Sequence, residues 1–221
     1  MSSDVASFVR DALGHEPNDV ASFEQALTHP SFGRKNYQRL EFLGDRVLGL
    51  MMAEWLSERF PAEQEGALSH RFTTLVSRVQ CAQVGYDIGV PDHLRLGKQA
   101  WDDGAARSDN VVGDAVEALI GALFLDGGIE AARAFIRRGW AKLVEGQSSA
   151  PRHPKSLLHE WAEGNGRKPP VYEVVERSGP PHAPRFTVKA SVRGLGEAQG
   201  EGSSKQDAET AAATALLEQV K

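Results

Sequence analysis

The chain has 221 residues, enough for one large domain or two ordinary ones, and its 41% hydrophobic and 25% charged content is that of a globular protein. A single cysteine, Cys81, excludes an internal disulfide framework. The formal net charge of −5 argues on its face against a nucleic-acid partner, yet residues 1–151 carry 15 basic and 21 acidic side chains while 152–221 carry 10 and 9. The acid excess therefore belongs to the first part of the chain.

The opening MSSDVASFVRDALG reads as a short amphipathic helix and lacks the basic-then-apolar pattern of a leader. The longest apolar run, Val47 to Ala53, is far too short to span a membrane, so no membrane partner and a reducing, cytoplasmic location are expected. After turns at Gly14–Pro17 and His29-Pro30, with a helix from Ser22 to Leu27 between them, comes the stretch from Tyr37 to Phe60. Its apolar residues, Leu40 and Phe42 through Met51, Met52 and Leu56, point all round a helical wheel, as in a helix buried in a core or against a partner. Inside it Glu41 and Asp45 lie one turn apart on one face. Ionised carboxylates there are costly unless something compensates them. Salt bridges with Arg39 and Arg46 would do so, and so would a metal ion; for an isolated pair the salt bridges are the better reading.

Beyond Pro61 the spacing predicts a helix over Ala67–Val84, a turn at Val90-Pro91-Asp92, and a polar loop from Gly97 to Ser108. A second apolar helix, Val111 to Phe124, carries Asp114 and Glu117 at i,i+3 spacing. Gly113, Ala115, Ala118, Gly121 and Ala122 make it narrow enough for close approach by another helix. Asp126-Gly127-Gly128 supplies a stop, and a last helix covers Ile129–Val144. The second acid pair shifts the balance: two such helices can assemble a four-acid, all-oxygen cluster of the kind that suits Mg²⁺ or Mn²⁺. No adjacent Cys or His pair suggests zinc. His29, at a helix end, reads as a structural hydrogen-bonder.

Residues 145–154, EGQSSAPRHP, read as a flexible linker. Then come a short helix (Lys155–Glu163), a strand (Val171–Glu176), an alternating strand (Arg185–Arg193) with Phe186, Val188, Ala190 and Val192 on one face, a short strand (Glu197–Glu201), and an Ala-rich helix (Lys205–Val220). Ser203 and Gln206 fit a capping box at the start of that helix, whose free N–H groups make a phosphate site.

These residues carry a resemblance. LEFLGDRVL (Leu40–Leu48) resembles the signature of bacterial ribonuclease III, and GDAVEALIGALFLD (Gly113–Asp126) is similar to its second acidic helix. ALTHPS, EGALSHRFTTLVS and LRLGK follow the family's order, and GEGSSKQDAETAAA (Gly200–Ala213) resembles the most specific motif of the double-stranded-RNA-binding domain. The resemblance implies an all-α N-terminal endonuclease domain (1–144), the linker, and a small α+β domain of α-β-β-β-α order (155–221) that binds duplex RNA. It also implies metal held by Glu41, Asp45, Asp114 and Glu117, with Asp45 and Glu117 catalytic and Mg²⁺ as cofactor, Mn²⁺ substituting. Phosphodiester hydrolysis then leaves 5′-phosphate and 3′-hydroxyl ends, in the processing of rRNA, mRNA and other RNAs. A homodimer is implied, with Phe42 in the interface. RNA contacts fall on Ser156, His159, Glu163, His182, Ser204 and Lys205, and Gln38 and Glu65 take accessory positions. Gln38 stands where many relatives have Glu, and Gln206, followed by Asp207, stands where the family has a second basic residue.

Two other readings stay open on the residues. One is a catalytically inactive duplex-RNA-binding protein on the same fold, which would normally have lost one of the four acids. The other is a di-metal carboxylate oxidase, which needs Glu-x-x-His pairs that neither acidic helix has.

Overall fold

Two helices in backbone contact form the centre of the first unit of the computed structural model, which describes residues 2–147, 154–180 and 184–220. They are α3 (Gln38–Arg59) and α7 (Asp109–Gly139). A Cβ placed on Gly44 would lie 1.7 Å from the Glu117 carbonyl oxygen, and one on Gly121 would lie 2.3 Å from that of Leu40. Each glycine thus admits the other helix's backbone, and apolar side chains seal the crossing. Leu48, Met52, Leu56, Val112, Val116, Leu119, Ile120 and Leu123 are all buried there. Fully burying a side chain of this size contributes about 1.5–3 kcal/mol.

The other helices pack around this pair. They are α1 (Ser2–Phe8), which runs into a wide turn over Val9–Leu13; α2 (Val20–Ala26); α4 (Glu65–Leu75); α5 (Arg78–Asp87); α6 (Lys98–Asp102); and α8 (Ala141–Glu145). Two sequence expectations are corrected and a third is met. The helix expected over Ala67–Val84 is two, because the chain turns extended at Ser77 (ψ 150°), whose hydroxyl donates to the Thr74 carbonyl at 2.7 Å. The expected polar loop from Gly97 to Ser108 holds α6 and a 3₁₀ turn at Ala105–Arg107. The expected stop at Gly127-Gly128 is present: Gly128 is non-helical (φ 73°, ψ −173°), and α7 is two helical segments meeting at that kink, the second running to Gly139. Asp126, just before it, accepts hydrogen bonds from the Asn18 and Asp19 backbone N–H groups (2.9 and 2.8 Å) and pairs with His15 (2.7 Å). Among the described residues of this unit, the extended pairing is a single bridge between Thr28 and Arg95.

Arg71 is buried yet charged. It makes a two-pronged pair with Glu63 (2.7 and 2.6 Å), lies 3.7 Å over the Phe60 ring, and donates to the Gln147 carbonyl at 2.9 Å. Such full partnering is what a buried guanidinium requires. No helix among the described residues is long and apolar enough to cross a membrane.

The second unit has α9 (Pro154–Gly164), an antiparallel sheet in the order β1 (Val171–Ser178), β2 (Arg185–Val192) and β3 (Gly196–Gly202), and α10 (Lys205–Leu217). Val188, Ala190 and Val192 alternate into a core with Leu158, Ala162, Ala208, Ala212, Ala213 and Leu216. The expected face of β2 is therefore the buried one. A bulge between Val174 and Glu176 lets β1 continue to Ser178, two residues beyond its expected end.

Gly44→Ala should destabilise the first unit by about 3 kcal/mol or more, since the clash is with backbone that no rotamer change relieves. The fall in urea midpoint measures it; an unchanged midpoint would mean that the helices are not in backbone contact at this crossing.

Candidate functional site

The glycine crossing decides where the acids go. Glu41 lies one turn before Gly44 on α3, while Asp114 and Glu117 lie on the stretch of α7 that Gly44 admits. One carboxylate oxygen from each of Glu41, Asp114 and Glu117 lies within 4.8 Å of the others, all three half-buried. Among the described residues this is the grouping with ligand spacing. Asp45, the fourth acid expected, is not in it: its carboxylate turns toward the neighbouring Arg46. One of the two salt bridges weighed for this helix is therefore present, but for Asp45 alone.

Burial raises all three carboxyl groups above their ordinary values, and repulsion adds to it at Glu41 and Glu117. Glu117 is pushed up to about 7 by desolvation, then by Asp114 and Glu41. Glu41 rises by desolvation and by Asp114. Asp114 rises by desolvation, partly offset by Arg78, by a hydrogen bond from Tyr37 and by His29. The donor set is hard oxygen with negative charge in excess, which fits a hard divalent cation.

Three partners of the cluster, Tyr37, Arg78 and Cys81, escape a reading of the sequence, while His29 takes the structural hydrogen-bonding place expected of it. Tyr37 donates its buried hydroxyl to Asp114 Oδ2 at 3.4 Å, and its own ionisation is pushed far up by burial. His29 packs edge-on against Tyr37, ring centroids 5.7 Å apart, with Nδ1 2.7 Å from Ser31 Oγ. Arg78 places Nη2 3.9 Å from Asp114 Oδ1. The expectation of no nearby cysteine holds along the chain and fails in space, because Cys81 brings its Sγ within 3.8 Å of Glu117 Oε1. Burial pushes that thiol up, so it meets the carboxylate as a neutral donor.

Phe42 is one residue from Glu41 and a third of a turn round the helix. It is 67% exposed, with Leu50, two turns on, at 61%. Arg46 lies over its ring, 5.2 Å from the centroid. Gln38 and Glu65 are both exposed at the starts of α3 and α4, and Glu65 accepts from Ser69 at 2.7 Å.

In the second unit Ser156, His159 and Glu163 share the exposed face of α9, opposite buried Leu158 and Ala162. Lys205 is exposed at the start of α10. Glu209 bridges Lys155 of α9 (2.5 Å) and Lys205 (3.8 Å), tying these two helix starts side by side. The capping box is one residue later than expected. Ser204 Oγ accepts from Asp207 N (3.1 Å), and the Asp207 carboxylate accepts from Ser204 N (3.2 Å) and Ser203 Oγ (2.9 Å). His182 lies outside the described residues.

A helical unit with an acidic cluster, joined to an α-β-β-β-α unit, defines a nuclease coupled to a duplex-RNA-binding module. A ribonuclease-III-like family model matches residues 19–143, and a double-stranded RNA binding motif model matches residues 154–220. A protein named Ribonuclease 3 from Zymomonas mobilis is 60% identical over 212 residues, 96% of this chain and 86% of its own length. Its namesake from Dinoroseobacter shibae is 45% identical over 223 residues, covering all of this chain and 97% of its own. The 2.2 Å crystal structure of the ribonuclease III nuclease domain from Campylobacter jejuni superposes with a TM-score of 0.60 at 33% identity, over 62% of this chain and 94% of that one. Another structure of that domain concerns flexibility in its dimer-forming region. This chain belongs to the ribonuclease III family and is an endoribonuclease of that type.

The raised Glu117 has a stability consequence. Its folded-state pKa of about 7 exceeds the ordinary 4.5, so ionisation costs stability, progressively as pH rises from 4.5 through 7. In metal-free buffer at pH 8.5, Glu117→Gln should therefore unfold at higher denaturant than wild type, by up to about 3 kcal/mol before solvent screening, with the gap closing near pH 4.5. Identical curves at pH 8.5 would show that Glu117 is well solvated.

Proposed function

We propose that this chain hydrolyses both strands of duplex RNA using Mg²⁺, or Mn²⁺ in its place, held by Glu41, Asp114 and Glu117 with Asp45 at the cluster's solvent edge. The convergence of three half-buried carboxylates supports this most directly, since without a cation it is a net cost to the fold. A divalent ion held there by Glu41, Asp114 and Glu117 would lower the pKa of water and offset charge on the scissile phosphate. Glu117 would hold the ion through one carboxylate oxygen and, with the other, accept a hydrogen bond from the attacking water and so orient it. Tyr37 fixes Asp114 through its O–H, and Asp45 joins from α3 when its pair with Arg46 opens. In-line attack leaves 5′-phosphate and 3′-hydroxyl ends.

Exposed Phe42 and Leu50 support a homodimer through α3, giving two sites, one for each strand. Ser156, His159, Glu163, Ser204 and Lys205, with His182, read the A-form groove and phosphates by shape. Gln38 and Glu65 adjust where the cut falls. The setting is the cytoplasm, in the maturation of rRNA, mRNA and other transcripts, and the domains are 1–144 and 155–221 with 145–154 as linker.

On a long RNA duplex in Mg²⁺, Glu117→Ala should lose at least about 100-fold in cleavage rate while still binding the duplex. Cleavage at the wild-type rate by this variant removes the metal assignment. A wild type that binds and never cuts leaves the catalytically inactive duplex-binding protein.

Phe42→Ala should sediment as monomer at micromolar concentration, having lost a central aromatic anchor worth about 2 kcal/mol or more. An unchanged dimer takes Phe42 out of the interface.

A further inference from the structure

Arg78 occupies a position that helix formation disfavours. It is the first residue of α5, where the helix dipole favours an acid, and no acid stands in that first turn. Its side chain is 57% exposed, so burial does not hold it there. What does is the acidic cluster. The stem crosses α7 at Gly113, where an added Cβ would meet Arg78 Cγ at 3.3 Å and its carbonyl oxygen at 3.2 Å. From there Nη1 donates to Asn110 Oδ1 at 3.2 Å, and Nη2 reaches 3.9 Å from Asp114 Oδ1. A local rule broken without a gain in packing points to a functional cause.

The groups facing that guanidinium are Glu41, Asp114 and Glu117, with the neutral Tyr37 hydroxyl and Cys81 thiol behind them. Arg46, on α3, is engaged by Asp45. A 3.9 Å contact is a loose pair, held by charge more than by hydrogen-bond geometry. A cation held loosely at the mouth of an anionic cluster is what a divalent ion displaces. A planar guanidinium released beside a phosphodiester has a two-pronged partner within reach.

We propose that Arg78 is the resident counter-cation of the carboxylate cluster in the RNA-free protein, displaced by the divalent ion and then pairing with a phosphate of the bound duplex. This rests on the metal reading of the cluster. In that role Arg78 is a positioning residue: it keeps three like charges together before the metal enters and then orients the strand to be cut.

The test is Mn²⁺ binding to the full-length, RNA-free protein, followed by the electron paramagnetic resonance of free Mn²⁺, in wild type, Arg78→Ala, Arg78→Lys and Glu117→Gln. Removing a competing positive charge at this distance should tighten Mn²⁺ binding about tenfold in Arg78→Ala, with the gap shrinking at high salt. Arg78→Lys should stay close to wild type. On a short RNA duplex at saturating Mg²⁺, Arg78→Ala should raise KM by about threefold or more, with kcat changed less. Tighter metal together with weaker substrate is a pair of opposite signs that a simply misfolded site does not give. If Glu117→Gln loses Mn²⁺ binding while Arg78→Ala binds it no more tightly than wild type, the Arg78 proposal fails and the metal reading stands. If the KM of Arg78→Ala is unmoved, the phosphate contact is wrong. If Glu117→Gln binds Mn²⁺ as wild type does, the metal reading itself is lost, and Arg78 with it.

Discussion

The contact on which the rest of the nuclease unit depends is the one between two backbones, α3 against α7 at Gly44 and Gly121. Side chains cannot intervene there, so residues flanking the glycines are carried to within ligand distance of one another. Glu41 faces Asp114 and Glu117 because of that approach. The acids are then only partly solvated and repel one another, which is why Glu117 sits near 7. The cost is on the order of 2–3 kcal/mol for Glu117, less what water still screens. The leucine, isoleucine, valine and methionine side chains that seal the same crossing offset it several times over. A well-packed helix pair therefore tolerates a site that is unfavourable in itself.

The division of charge follows the division of labour. The unit holding the acidic cluster has the surplus of acids, and each bound divalent ion would offset two of those charges. The other unit is nearly balanced, which is thin for a nucleic-acid binder. In the proposed binding role, the start of α10 would supply the compensation. Lys205 stands at the start of α10, where backbone N–H groups and the positive end of the helix dipole reinforce one full charge. Asp207, an odd residue to find beside a proposed phosphate site, accepts from Ser203 and Ser204 and so fixes that helix start. Those hydrogen bonds hold its carboxyl below the ordinary range, so it keeps this role well into acid.

What the chain revealed before its fold was known divides along a physical line. The acidic helices were legible because charge inside an apolar periodic stretch is conspicuous on a helical wheel. The buried face of β2 was legible because alternation is local. Tyr37, Arg78 and Cys81 were not, since each reaches the cluster across many residues, and the disfavoured place of Arg78 shows only once α5 is known to start there. Tyr37 read as the first residue of a helix, and Cys81 only as a thiol with no internal disulfide partner. The break at Ser77 was missed because the apolar spacing runs through it and no Gly or Pro marks it, although Ser is a good N-terminal residue for the helix that follows. The capping box was placed one residue early because two serines precede both Gln206 and Asp207, and spacing fits either register. Only the φ/ψ of Ser204 and the two reciprocal hydrogen bonds select one.

The same helix that supplies Glu41 also supplies Phe42, and the 100° between successive residues sends them to different surroundings. Glu41 faces the cluster and Phe42 faces outward, exposed beside Leu50. In the proposed dimer one rigid helix would set both the site and the interface, so the distance between the two sites would be fixed by helix geometry and not by a loop. A duplex presents two antiparallel strands related by local two-fold axes, and a two-fold pair of clusters matches that relation. A monomer with one cluster would have to release and rebind to cut the second strand. Placing the apolar contact one residue from a metal-ligand candidate would make assembly and cleavage of both strands a single geometric event.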